Sequence, residues 1–143
     1  LINNKQDVLK NINNYFDYNL SLISKNIEKS NNKDMIFEVL MMRFDILQNY
    51  RNSVISIFDS FKKKPQNIMF LLPDILESII LMISYTNISC KGVLGRLKIK
   101  GILVIYISSF LVWMKDDSPS LEKTMTTLDN YLNQAGKILN FVE

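Results

Sequence analysis

The chain has 143 residues, 48% hydrophobic and 22% charged, with a formal net charge of +3. That is the size of one globular domain, and its charge is too mild to mark a nucleic-acid surface. It holds no histidine and one cysteine, Cys90, which removes the commonest metal ligand, the commonest general base and any internal disulfide, and with them zinc chemistry and Cys-His or Ser-His catalysis.

Asn3, Asn4, Lys5, Gln6 and Asp7 interrupt any apolar run before a signal peptide can form, so a cytoplasmic location is expected. Leu1 stands where Met is usual, and with Ile2 it runs straight into a helix cap at Asn4, which reads as entry into the middle of a longer protein. From there Val8, Ile12, Phe16, Leu20, Ile23 and Ile27 trace one face of a long first helix that breaks at Lys29-Ser30-Asn31-Asn32. Ile36, Phe37, Leu40, Phe44 and Leu47 stripe a second helix, ending at Gln48 and Asn49. Val54, Ile55, Phe58 and Phe61 stripe a third, which stops before Pro65.

Pro73 suits the first turn of a helix, so Gln66 to Leu72 is expected as a short piece leading into a covered helix from Pro73 to Tyr85. Asn87, Ser89 and Gly92 mark the turn into a long helix ending near Lys115. Between Gly101 and Met114 this helix carries no charge, and a helix greasy on every side is expected to be buried. The uncharged run is well short of the roughly 20 residues a bilayer crossing needs, so no membrane span is expected. Gly101 and Ser108 share one face, where a neighbouring backbone can approach.

Ser118 as cap and Pro119 in the first turn begin the last helix, with Asp116 and Asp117 complementing its positive end. Leu121, Met125, Leu128, Leu132, Ala135, Leu139 and Val142 then recur at spacings of four and three, the 3.5-residue seam of a helix that wants a partner. Tyr131, Ile138 and Phe141 broaden the apolar surface beyond it. A homodimer is therefore expected, pairing the last two helices of each copy in a four-helix interface through Trp113, Leu121, Met125, Leu128, Leu132 and Leu139.

No alternating strand pattern, phosphate loop or repeat appears, so the chain reads as a single all-α domain over residues 1–143, with about six or seven helices. Lys62, Lys63 and Lys64 fall in a last helical turn, where cations interact well with the helix dipole. Lys91, Arg96, Lys98 and Lys100 precede the apolar run as ordinary exposed basic residues or as a face for an acidic partner. Aromatic and Met residues gather in the middle elements, a pattern that serves either a filled core or an apolar cavity. No residue stands out as catalytic, no cofactor is implied, and an enzyme is not expected.

Arg96-Leu97-Lys98-Ile99-Lys100-Gly101, Val112-Trp113-Met114-Lys115-Asp116-Asp117-Ser118-Pro119, Lys123-Thr124-Met125 and Leu128-Asp129 resemble the C-terminal half of TetR-type transcriptional regulators of alphaproteobacterial kind. Phe37-Glu38-Val39-Leu40-Met41-Met42-Arg43-Phe44-Asp45, with Leu47 and Tyr50-Arg51, is similar to the same proteins. Asn4-Lys5-Gln6-Asp7-Val8-Leu9 resembles the helix that follows their DNA-reading module, so residues 1–30 would connect to a helix-turn-helix outside this chain. The resemblance implies a TetR-like bundle, a small apolar or lipid-like effector between the middle helices, and DNA contact only through that outside module. The residues expected at the effector are Phe58, Phe61, Phe70, Met82, Tyr106 and Phe110.

The last block is also similar to the lipid-binding accessory proteins of ubiquinone biosynthesis, which share the architecture without acting as repressors. Met125 stands where those proteins typically carry a Trp at the surface that meets their hydroxylase, a departure that turns the resemblance toward the regulators.

Overall fold

A computed structural model describes residues 5–139, apart from the side chains of residues 5, 6, 68 and 139. Among these residues the chain is all-helical: α1 (Lys5–Ser24), α2 (Asn32–Gln48), α3 (Arg51–Phe61), α4 (Pro65–Ser84), α5 (Gly92–Trp113) and α6 (Glu122–Leu139), with one 3-10 turn at Pro119–Leu121. The expected cap at Asn4 lies outside the described residues, as do Phe141, Val142 and the side chain of Leu139.

The central helix is α2, which packs against all the others. Its N-cap is Asn31, whose side chain accepts from the Asp34 N–H at 2.9 Å, one of the orphan donors that a helix start must satisfy. Met35, Ile36, Val39, Leu40 and Phe44 are fully buried on it. The Lys33–Asp129 ion pair at 2.5 Å joins it to α6.

The first helix is shorter than its apolar period predicts, and its face is rotated. Leu9, Asn13, Phe16, Leu20 and Ser24 are the buried positions, while Val8 and Ile23 are exposed. Two of the buried positions are polar, so the apolar residues alone trace the wrong stripe. Ile27 is buried beyond the helix end.

Pro73 lies inside α4 instead of opening a second helix. A proline there leaves the carbonyl four residues back without its N–H. Pro73 and Met69 are both exposed, so water reaches that side of the helix. By length and composition α4 is apolar enough to cross a membrane. Here it packs on α1 and α5, burying Ile79, Met82 and Ile83.

The turn into α5 uses Gly92 at φ +71°, a left-handed conformation that glycine adopts without steric cost. Three residues on, a Cβ on Gly95 would sit 2.1 Å from the Cys90 carbonyl carbon, so that approach also requires glycine. The helix is not buried all round as its composition suggests. Ile102, Ile105, Tyr106, Ser109 and Trp113 face inward, while Val93, Leu97, Val104, Ile107 and Leu111 form an exposed apolar stripe.

Between α5 and α6 the chain turns through Ser120 and Leu121, both at φ 56°, a region costly for residues with a Cβ. Asp116, only 2% exposed, holds this corner. Its carboxylate accepts from the Ser118 N–H at 2.9 Å, the Ser118 hydroxyl, the Thr124 N–H at 2.8 Å and the Thr124 hydroxyl at 2.7 Å. Ser118 is the N-cap and Pro119 the first position of the 3-10 turn, as expected, but the short bond from the Thr124 N–H goes to Asp116, and the Ser118 hydroxyl accepts only from the Lys123 N–H at 3.3 Å.

Burial alone would raise the Asp116 carboxyl, but the hydrogen bonds from Ser118 and Thr124 outweigh it and hold it well below the usual carboxylate range. A depressed folded-state pKa stabilises in full above the unfolded-state value of about 3.9, and that stabilisation is lost as the pH falls toward the folded value. Asp116→Asn should lower stability at pH 7 by about 2–3 kcal/mol and flatten the acid limb below it, as read by urea unfolding at pH 7 and pH 3.

Candidate functional site

A cavity of about 350 Å³ lies between α1, α3, α4 and α5, with Arg43 and Leu47 of α2 in its wall, within the range of small-molecule sites. Leu9, Ile12 and Phe16 line it from α1, Val54, Ile57, Phe58 and Phe61 from α3, Leu71, Leu72 and Ile75 from α4, and Tyr106, Ile107, Phe110 and Leu111 from α5. Leu72, Ile107 and Leu111 belong both to this lining and to the exposed surface, so they form its mouth. Phe58 and Phe110 meet edge to face at 5.6 Å, and Phe110 lies 5.4 Å from the Trp113 ring.

Three polar residues, Asn13, Arg43 and Tyr106, complete the wall. Arg43 is 1% exposed and makes an ion pair with Asp17. Its Nη2 donates to Asn13 Oδ1 at 2.6 Å and its Nε to Tyr106 Oη at 3.3 Å. Asn13 Nδ2 in turn donates to Ser78 Oγ at 2.8 Å and to the Asp74 carbonyl at 3.3 Å, and the Ser78 hydroxyl lies 2.8 Å from Asp17 Oδ2. Burial by itself would lower the Arg43 pKa, but Tyr106 and Asp17 more than offset it. The cluster joins α1, α2, α4 and α5 at one end of an otherwise oily space.

Of the six residues expected at an effector, Phe58, Phe61, Tyr106 and Phe110 share this wall. Met82 does not: it is fully buried on the side of α4 that packs into the core. Phe70 does not either. It is 60% exposed and borders a separate polar depression with Asp7, Lys10 and Asp74, because continuing α4 through Pro73 turns it away from the bundle.

The expected dimer seam requires a correction. Leu121, Leu128, Leu132 and Trp113 are buried within their own chain, where α6 packs on α5 and α2. Side chains already enclosed in one subunit have no surface to offer a second. Trp113 is fixed further by donating from Nε1 to Gln48 Oε1 at 2.9 Å, with Arg51 5.0 Å from its ring centre. Met125 remains partly exposed, as do Tyr131 and Ile138, and Leu139 lies outside the described side chains.

The residues that reading the sequence missed are Asn13, Asp17, Arg43 and Ser78. A signal was present for Arg43 and Ser78, which occupy helix positions in phase with core residues, where soluble bundles take polar groups only in mutually satisfied clusters; Asn13 falls off the stripe that the apolar residues of α1 trace.

Burial pushes the Cys90 thiol up, against a weaker opposing effect from Lys98, and among the described residues no group of His, Cys, Asp or Glu is placed to hold a metal. Set against known proteins, the chain matches no family model and no curated sequence.

Proposed function

We propose that this chain is the ligand-sensing and dimerisation domain of a TetR-type regulator, taking a small apolar effector into the cavity between α1, α3, α4 and α5. The observation that carries the reading is the cavity itself, walled by Phe58, Phe61 and Phe110 and open at Leu72, Ile107 and Leu111. At roughly 30 Å³ per small group in a liquid, it suits a molecule of about a dozen non-hydrogen atoms. The domain would not touch DNA itself.

In this reading a second copy meets the outer stripe of α5 and not the α6 seam. Leu97, Val104 and Leu111 repeat at seven, with Gly101 and Ser108 between them at the spacing of a helix-pairing face, and Val104 is 62% exposed. Ile107 and Leu111 lie on both the stripe and the cavity wall. Filling the cavity therefore bears on the residues a partner would contact, the differential contact that a ligand needs in order to shift a two-state assembly.

A second reading, a lipid-binding accessory protein, draws on the mouth. Exposed Met69 lies on α4 about one turn before Leu72, an apolar shoulder along which a chain longer than the cavity can trail. Native mass spectrometry separates the two readings, since a regulator retains a small effector or none and an accessory protein retains a long isoprenoid lipid.

Two outcomes are expected. An apolar ligand at about 100 times its dissociation constant should stabilise the protein by about 2.7 kcal/mol, and Ile75→Trp, which fills the cavity, should abolish that shift while the protein still folds. Light scattering at tens of micromolar should give a dimer that Val104→Glu converts to monomer, whereas Leu128→Ala should lower stability by about 2–5 kcal/mol and leave the dimer intact.

A further inference from the structure

We propose that the outer face of α4 docks on an anionic lipid bilayer, with Met69, Pro73, Leu76 and Ile80 against the acyl boundary and Lys62, Lys63 and Lys64 on the headgroups. The inference goes beyond the cavity reading and does not depend on it. Its basis is apolar surface that the bundle leaves uncovered, lying beside the chain's single run of three like charges.

Met69, Pro73, Leu76 and Ile80 follow one another at spacings of four, three and four, so they share one face of α4 about 17 Å long. That face is turned from the core, into which Ile79, Met82 and Ile83 pack. Met69 is 66% and Ile80 44% exposed, Pro73 is exposed and Leu76 half-buried. The helix that is apolar enough in length and composition to cross a membrane thus keeps a strip of its apolar surface outside the fold.

The charges lie at the start of this strip. Lys62 pairs with Asp59 at 3.1 Å, while Lys63 and Lys64 make no ion pair among the described residues. No acidic residue stands in the first turn of α4. Of the helix's two carboxylates, Asp74 borders the depression with Asp7 and Lys10, and Glu77 lies at the edge of the strip. Cations beside an outward apolar strip are the pattern of a helix lying in a membrane interface, where apolar burial and attraction to anionic headgroups add. The strip has no hydrogen-bonding side chain, which a protein partner would use and acyl chains do not need. Leu72 borders the strip and belongs to the cavity mouth, so docking brings that mouth beside lipid.

The test is co-sedimentation with vesicles of phosphatidylcholine alone or with about one-third phosphatidylglycerol. The anionic vesicles should bind at least ten-fold more tightly, and about 1 M salt, which screens charge beyond about 3 Å, should remove the difference. Lys62→Gln, Lys63→Gln and Lys64→Gln together should remove it too, at about five-fold per lysine. Met69→Ser with Ile80→Ser should weaken binding to the anionic vesicles about ten-fold while leaving the unfolding midpoint close to the parent's, since both side chains are exposed. Equal binding to the two vesicles, or binding to neither, overturns the proposal. Binding that needs the lysines but ignores Met69 and Ile80 is attraction to any polyanion and overturns the bilayer assignment. Binding abolished by Val104→Glu but unmoved by the α4 variants places the surface on α5 and overturns it as well. Each of these outcomes leaves the cavity reading to its own test, the stabilisation by an apolar ligand.

Discussion

A buried arginine sets the terms for this fold. Arg43 lies on the most enclosed helix, and a cation removed from water is tolerated only when partners satisfy it. Asp17 and Asn13 approach from α1 and Tyr106 from α5, with Ser78 of α4 supporting the two partners on α1. Apolar packing is indifferent to small slides and rotations, but a charged fork with named acceptors is not. The cluster therefore fixes how four helices sit relative to one another. With α1 and α5 anchored at one end, α3 and the start of α4 close over the remaining space without filling it, and the cavity is what remains.

The same constraint bears on how a ligand could act. The polar end is a rigid reference, while the mouth is made of Leu72, Ile107 and Leu111, which contact the cavity on one side and solvent on the other. In the proposed reading, a molecule filling the cavity would press on those residues at the surface. At the opposite corner Asp116 gives α6 a fixed start despite two left-handed residues, so the α5–α6 pair behaves as one body whose inner face is the seam and whose outer face is the α5 stripe.

Much of this architecture was legible from periodicity. The all-α class, the breaks near Asn31, Asn49 and Pro65, and the last helix beginning after Pro119 follow from caps, prolines and apolar spacing. The phase of α1 was not legible, because Asn13 and Ser24 occupy buried positions while Val8 and Ile23 lie outside. The continuity of α4 through Pro73 was hidden because proline is the strongest local signal for a helix start, yet an exposed carbonyl makes it tolerable inside. For α5 and α6 the apolar pattern was read correctly and its destination was not. A 3.5-residue seam looks the same whether the partner helix belongs to the same chain or another, and here α5 and α2 of the same chain fill it. Four of the six aromatic and Met residues expected at an effector share the cavity wall, whereas its polar end was invisible to any search for oily residues.

Arg43 and Asp17 act as a unit that positions the helices around the cavity. A double-mutant cycle with Arg43→Met and Asp17→Leu measures that coupling. Each single change should cost about 3–5 kcal/mol by leaving a buried charge alone, and the double variant should cost less than their sum by at least about 2 kcal/mol. Additive costs, or single variants as stable as the parent, would contradict the account.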